Sequence, residues 1–345
     1  MNLSRTVFSF GSPCNGQYGH LVLRDSGEIY GYSHPNEHRW SLADGELRLH
    51  SIDGNVTSRF RSDGESGAWL GCVDKKKWPL YLVPAVRLEA NMPTPDSAPS
   101  FPSYFVNSIP KSGTYFVEAA LQEMGVKSQR LHLSGRDTIH DYRGHAEEQI
   151  HVNPDAVYLQ CPIELVTALL REEQVVGHVE HQSTVDRIRE QNVTVLSVVR
   201  DLRNVLVSLF RFKTTKVAPN GTLDEYWRSL NGAEQIIGFL LYYADRDIAH
   251  IRTMAEMMAA DRDSIMLQYE ALSTGTLTAD AATRLNERHP GSAERLCESL
   301  KNQCGRRNPT FSGKASDWRS VWNDDLDRFF NATGLAALNH ALGYA

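Results

Sequence analysis

Pro110-Lys111-Ser112-Gly113-Thr114 gathers a lysine, two hydroxyls and a glycine between the extended apolar run Tyr104–Ile109 and a segment of helical period. A strand, a short loop and a helix N-terminus in that order present backbone N–H groups and a cation to an anion of phosphate size. The lysine precedes the only glycine of the loop. ATP-binding phosphate loops carry it after the second glycine, as Gly-Lys-Ser/Thr, so the order points to a different phosphate-bearing ligand. Farther on, Arg200 closes the apolar run Val193–Val199 and Ser208 follows two helical turns later, which lets a guanidinium fork and a hydroxyl face one crevice. Taken alone, Arg200 and Asp201 also read as a surface pair at a helix start. Between these groups Val175-Val176-Gly177-His178-Val179 is a short strand ending in histidine. A neutral imidazole there suits proton transfer, and a structural histidine fits the same pattern.

The elements that must position these groups divide near residue 100. Residues 1–90 alternate in short runs separated by Ser26-Gly27, Asp44-Gly45, Asp53-Gly54 and Asp63-Gly64, the pattern of a small antiparallel β domain. Residues 91–102 are rich in proline and lack periodicity, as a linker does. Over 103–345 strand-like and helical segments alternate, which predicts an α/β domain with a parallel sheet flanked by helices. Phe116, Val117, Ala120, Leu121 and Met124 form the apolar face of the helix after the lysine loop, and Gly125 is placed to stop it. The stretch Leu131 to His151 reads as a loop rich in His and Arg, with a helix expected from Pro162 to Arg171. One long helical segment is expected from Ala233 to Ala260, followed by a strand at Ile265–Tyr269.

With 345 residues, 41% of them hydrophobic, the chain can bury a full core. A net charge of −6 argues against nucleic acid as a partner and leaves room for a local basic pocket. The five cysteines lack Cys-x-x-Cys spacing and read as free thiols in a reducing compartment. No opening run suggests a signal peptide and no segment has the length to span a bilayer, so a soluble, cytoplasmic protein is expected.

Together the two anion motifs resemble the signature of sulfotransferases that use 3′-phosphoadenosine-5′-phosphosulfate (PAPS) as donor, over about residues 103–345. In that family a Pro-Lys-Ser-Gly-Thr loop binds the 5′-phosphosulfate and an Arg-Asp-Pro-x-Asp-Val-x-x-Ser-like segment binds the 3′-phosphate. Here Leu202 and Asn204 stand where the family has proline and often aspartate, while Arg200 and Ser208 keep the spacing. Gln268-Tyr269-Glu270-Ala271-Leu272 is similar to the family's Tyr-Glu-Asp-Leu, whose tyrosine lies near the nucleotide. Phe311-Ser312-Gly313-Lys314-Ala315-Ser316-Asp317-Trp318-Arg319 looks like its Arg-Lys-Gly-x-x-Gly-Asp-Trp-Lys loop, without the leading Arg-Lys pair. Phosphate contact there would fall to Ser312, Gly313, Lys314 or the nearby Arg306-Arg307, which equally read as a solvated charge pair.

The resemblance implies a P-loop NTPase-like sulfotransferase fold and transfer of a sulfuryl group from PAPS to an acceptor hydroxyl by in-line displacement. It implies His178 as general base, with His181 its nearest competitor, and Lys111 as the cation at the leaving phosphate. Donor contacts implied are Pro110, Lys111, Ser112, Gly113, Thr114, Tyr115, Phe116, Arg200, Ser208, Tyr269, Ser312, Gly313 and Lys314. Phe116 stands where relatives have a tryptophan beside adenine, and a plain core role fits it as well. No metal is implied. The acceptor preferred is a carbohydrate or glycolipid over a small phenol or alcohol, and the segment Leu131–Asp137, followed by Asp141-Tyr142-Arg143, either lines its pocket or is a surface loop. The aromatic and polar residues Tyr30, Tyr32, His34, Glu37, His38 and Trp40 either bind sugar or build a small β core. Two other readings stay open: a P-loop kinase or NTPase, and a catalytically silent nucleotide-binding scaffold. Oligomeric state is not legible.

Overall fold

A computed structural model describes residues 2–89, 101–145, 158–306 and 317–345. The chain falls into two compact units. One comprises Met1–Ala98, Asp137–Ile139 and Leu159–Arg171, the other Pro99–Arg136, His140–Tyr158 and Glu172–Ala345. Most of the proline-rich segment lies outside the described residues, as do Ser312, Gly313 and Lys314.

In the first unit β1 (Thr6–Ser12), β2 (Gly16–Leu23), β3 (Ile29–Tyr30), β4 (Arg39–Ala43), β5 (Glu46–His50), β6 (Val56–Ser62), β7 (Trp69–Val73) and β8 (Pro79–Arg87) form an eight-stranded sheet among the described residues, in the order β3-β2-β1-β8-β7-β6-β5-β4. Neighbouring strands are antiparallel. Each of the four turn pairs named above falls between consecutive strands. Asp44 and Gly45 carry φ of 54° and 72°, the two left-handed positions that a tight hairpin turn needs. Alternation then aims Phe8, Phe10, Leu21, Leu23, Leu47, Leu49 and Phe60 into one core. Tyr32 joins it edge-on to Phe10 at 5.2 Å, and the Trp40 indole donates to the Arg24 carbonyl at 2.8 Å, so these two aromatics serve the sheet itself.

The second sheet contains β9 (Ser103–Ser108), β10 (Lys127–Ser134), β11 (Thr138–Asp141), β12 (Tyr158–Gln160), β13 (Glu173–His178), β14 (Val193–Val199) and β15 (Ile265–Gln268), in the order β12-β11-β10-β13-β9-β14-β15. The run β10-β13-β9-β14-β15 is parallel throughout. The whole sheet is not parallel, as expected from the sequence, but mixed: Gly135-Arg136-Asp137 is too short for a crossover and turns β11 back along β10. Every residue of β14 is buried, which its continuous apolar sequence requires.

The helices are α1 (Thr114–Glu123), α2 (Ile163–Thr167), α3 (Gln182–Glu190), α4 (Leu202–Lys216), α5 (Thr222–Ser229), α6 (Gly232–Tyr242), α7 (Asp245–Ala260) and α8 (Tyr269–Leu272), with four more from Ala279 to Ala341 among the described residues. α1 packs Phe116, Val117, Ala120 and Leu121 onto β9, β10 and β13 and stops at Gly125, whose φ is 101°. At about 25 cal/mol per Å2 of apolar surface, this face rather than helix propensity holds α1 in place.

Three expected elements differ. The His- and Arg-rich stretch is not a loop throughout, because Leu131–Ser134 completes β10 and Thr138–Asp141 is β11. Its alternation is masked by His132, an imidazole buried where a core strand would carry an aliphatic group. The helix expected from Pro162 to Arg171 is only Ile163–Thr167. The segment Ala233–Ala260 is two helices, broken at Tyr243 and Ala244, with Tyr243 packed on Trp227 and Phe239.

Candidate active site

Strand β9 ends at Ser108, and the chain turns sharply before α1 starts at Thr114. Two residues make that turn in the left-handed region, Lys111 (φ 68°) and Gly113 (φ 100°). Such a conformation strains a non-glycine residue, and its presence at Lys111 marks a loop held by its surroundings. Part of the hold is visible. Arg200 Nη1 donates to the Lys111 carbonyl at 3.2 Å, and Ser112 N–H donates to the Ile109 carbonyl at 3.0 Å. At Gly113 the φ is not the only demand, because a Cβ would stand 2.5 Å from the Tyr269 ring.

This loop closes one side of a cavity of about 230 Å3 lined by Pro110, Lys111, Gly113, Thr114, Tyr115 and Phe116 from the loop and α1. His178 from β13, Arg200, Ser208 and Tyr269 complete the part foreseen from sequence. Arg200 is not the surface partner of Asp201. It is 6% exposed and lies with its guanidinium 4.4 Å from the centroid of the Tyr269 ring, while Asp201 caps α4 and pairs with Arg203 at 2.7 Å. Burial lowers the Arg200 pKa from its usual value. Ser112 does not line the cavity. It is fully buried, and its hydroxyl has no hydrogen-bond partner among the described residues.

Four lining residues carried no sequence signal: Leu209, Phe212, Lys213 and Asp247. Lys111 Nζ sits 3.3 Å from the centroid of the Phe212 ring, and Lys213 pairs with Asp247 at 3.5 Å. Phe212 lies one helical turn beyond Ser208 on α4, so the phosphate-motif helix could have pointed to it; Asp247 on α7 gave no clue. Burial pulls the Lys111 amine down to about 7, with a smaller push from Lys213 and an opposing pull from Asp247.

His178 is at the C-terminal end of β13, beside β9 and β10. Its Nδ1 lies 2.6 Å from the Ser108 carbonyl oxygen and 3.3 Å from the Ser108 hydroxyl. A carbonyl only accepts, so Nδ1 carries the proton and Nε2 keeps a lone pair. The Ser108 hydroxyl also meets Thr114 Oγ1 at 2.5 Å. Asn107 clamps the next residue, donating to the Val179 carbonyl at 3.0 Å and accepting from its N–H at 2.8 Å. Burial is the main reason that the His178 pKa falls to about 4, and nearby His250, Lys111 and His140 add to it. His181 instead precedes α3, beside Glu180, with a third of its side chain in solvent, and does not line the cavity.

Asp317 and Trp318 lie against the start of α4. Asn204 accepts from the Trp318 N–H at 3.0 Å, and the Arg203 guanidinium stacks 4.0 Å from the Trp318 ring. Asn204 therefore does structural work at a position where its side-chain oxygen is the group used. The cavity offers an amine, a guanidinium, hydroxyls and backbone amides at a helix start, a donor set that fits a ligand with separated phosphate groups. No helix of the described residues is long and apolar enough to cross a membrane.

Comparison with known proteins adds a family. A family model described as a sulfotransferase domain matches residues 102–274, half of the chain. Among solved structures, a mouse sulfotransferase complexed with PAP is similar at 11% identity and a TM-score of 0.40, over 70% of this chain and 87% of that one. Retinol dehydratase in complex with androsterone and inactive cofactor PAP is similar at 14% identity and a TM-score of 0.38, over 68% and 80%. No curated protein matches.

Proposed function

The chain belongs to the sulfotransferase family, and on that premise we propose that it transfers a sulfuryl group from PAPS to an acceptor hydroxyl. The observation that carries the reading is that Lys111, His178, Arg200, Ser208 and Tyr269, which come from four strand ends and the helices after them, line one cavity. The donor supplies the sulfuryl group and a bisphosphate leaving group.

The chain's residues divide the remaining work. Lys111 and the amides at the start of α1 stabilise charge that develops on the leaving phosphate. Arg200 and Ser208 hold the 3′-phosphate, the group that separates this donor from ATP. Tyr269 fixes Arg200 from below and, with Phe116 edge-on at 6.2 Å, walls the cleft. His178, with its proton on Nδ1, takes the acceptor's proton at Nε2. Its low pKa keeps it neutral at pH 7, and a multiply charged anion next to Lys111 strengthens it as a base.

The Tyr115 ring on the cavity wall presents an aromatic face and a hydroxyl together. That combination supports a carbohydrate or glycolipid hydroxyl as acceptor. Five free thiols support a reducing, cytoplasmic setting. The test is a mass-spectrometric acceptor screen with PAPS. A gain of one sulfuryl group on a hydroxyl compound is expected, and a panel of sugars, glycolipids, phenols and alcohols that all stay unmodified would count against transfer.

A further inference from the structure

Four imidazoles stand in a row through the active site. His140 on β11, His132 on β10, His178 on β13 and His250 on α7 follow one another with ring centroids 6.1, 4.6 and 6.4 Å apart. The row ends on a carboxylate, because Glu180 Oε2 is hydrogen-bonded to His250 Nδ1. The row is driest at His132 and wetter toward Glu180. His132 is 7% exposed, whereas the side chains of His250 and Glu180 are each 28% exposed.

Resting on the reading of His178 as the base, we propose that the Glu180–His250 pair is the proton sink of the reaction. The balance is simple. The acceptor O–H proton moves to His178 Nε2 as the oxygen attacks sulfur, leaving His178 a cation. His250, whose Nδ1 proton is directed at Glu180, has its Nε2 lone pair for a proton from His178, directly or through one water. Glu180 then holds the His250 cation as an ion pair until solvent takes the proton. His250 and Glu180 act through His178 and are positioning residues.

The neighbours explain why the proton leaves in this direction. Burial most of all disfavours the His178 cation, the hydrogen bond to the Ser108 carbonyl opposes that, and His250, Lys111 and His140 add to the burden, so a proton taken up there must move on. The imidazole of His132 is held well below its usual pKa for the same reasons and offers no resting place. Asp247, one turn before His250 on α7, is paired with Lys213. His181 lies 3.9 Å from the other oxygen of Glu180. Of the carboxylates named here, Glu180 alone bonds to an imidazole of the row.

The test compares Glu180→Gln, His250→Ala and His178→Ala in the full chain, each checked for adenosine 3′,5′-bisphosphate binding so that misfolding is not mistaken for lost relay. Glu180→Gln is expected to lower kcat about tenfold with donor affinity unchanged. It should also raise the solvent deuterium isotope effect on kcat. His250→Ala should regain rate as free imidazole is added to the buffer, a response that a merely structural role would not give. The sink is overturned if Glu180→Gln and His250→Ala keep wild-type kcat and pH profile while His178→Ala is inactive. If His178→Ala itself turns over normally, the underlying assignment of the base fails first.

Discussion

His178 Nδ1 and the Ser108 carbonyl oxygen are 2.6 Å apart, a bond that joins the C-terminal ends of two neighbouring parallel strands. It sets the tautomer of the one histidine that lines the cavity among the described residues, by means of a backbone atom. His178→Ala lowers transfer by about 10²–10⁴-fold while adenosine 3′,5′-bisphosphate still binds, as read by kcat and calorimetry together.

The bond is maintained indirectly by Asn107, which is fully buried and clamps Val179 on both its N–H and its carbonyl. Asn107→Ala leaves two buried backbone groups unpaired, a cost of about 1–3 kcal/mol each. Denaturant unfolding should show that loss, and kcat should fall more than donor affinity because His178 loses its fixed orientation.

Gly113 answers two demands at once, a φ of 100° and the closeness of the Tyr269 ring. Gly113→Ala should lower Tm by several degrees, since left-handed backbone alone costs about 1–2 kcal/mol. Adding Tyr269→Ala should return the part due to the clash and none of the part due to φ. Full recovery in the double variant would show that the backbone conformation is not a constraint.

Burial holds the Lys111 amine well below its ordinary value of 10.5, at about 7. Above pH 7 the amine is mostly neutral, and an anion bound beside it draws a proton on. Binding of adenosine 3′,5′-bisphosphate at pH 8.5 should therefore take up close to one proton, measured by calorimetry in buffers of different ionisation enthalpy. Affinity should weaken as pH rises above 7, and Lys111→Met should abolish the uptake.

The His178 pKa is depressed in the fold, from 6.5 to about 4, so the unfolded chain binds the extra proton between those values. Its contribution to stability is complete above pH 6.5 and is lost as pH falls toward 4, on the order of 3 kcal/mol. His178→Asn should flatten the fall of Tm between pH 7 and pH 4. An unchanged slope would place the acid sensitivity elsewhere.

Much of this site was legible because its signals are local. The lysine-before-glycine loop, the strand ending at Arg200 and the histidine closing β13 each need only a few consecutive residues to be recognised. Lys213 and Asp247 were not legible, because they reach the cavity through the packing of α4 and α7. The row of imidazoles was hidden for a related reason. His132 and His140 interrupt the aliphatic pattern of β10 and β11, so the stretch read as a loop. In the first unit the paired turn residues and alternating leucines marked the strands, while the order β3-β2-β1-β8-β7-β6-β5-β4 depends on long-range pairing of β1 with β8 that no local pattern reveals. The Ser312-Gly313-Lys314 segment lies outside the described residues, and its contact with the 3′-phosphate remains an expectation from the family.

Lys111, Arg200 and Ser208, which line one cavity, are proposed to hold a donor bearing a 3′-phosphate. Calorimetric titration of the full chain with adenosine 3′,5′-bisphosphate, and separately with ATP and Mg2+, decides between that donor and ATP. The bisphosphate should bind more tightly than ATP, and Arg200→Ala should weaken its binding at least tenfold, in line with loss of a charge-assisted bond. Tighter binding of ATP with Mg2+ than of the bisphosphate would contradict that assignment.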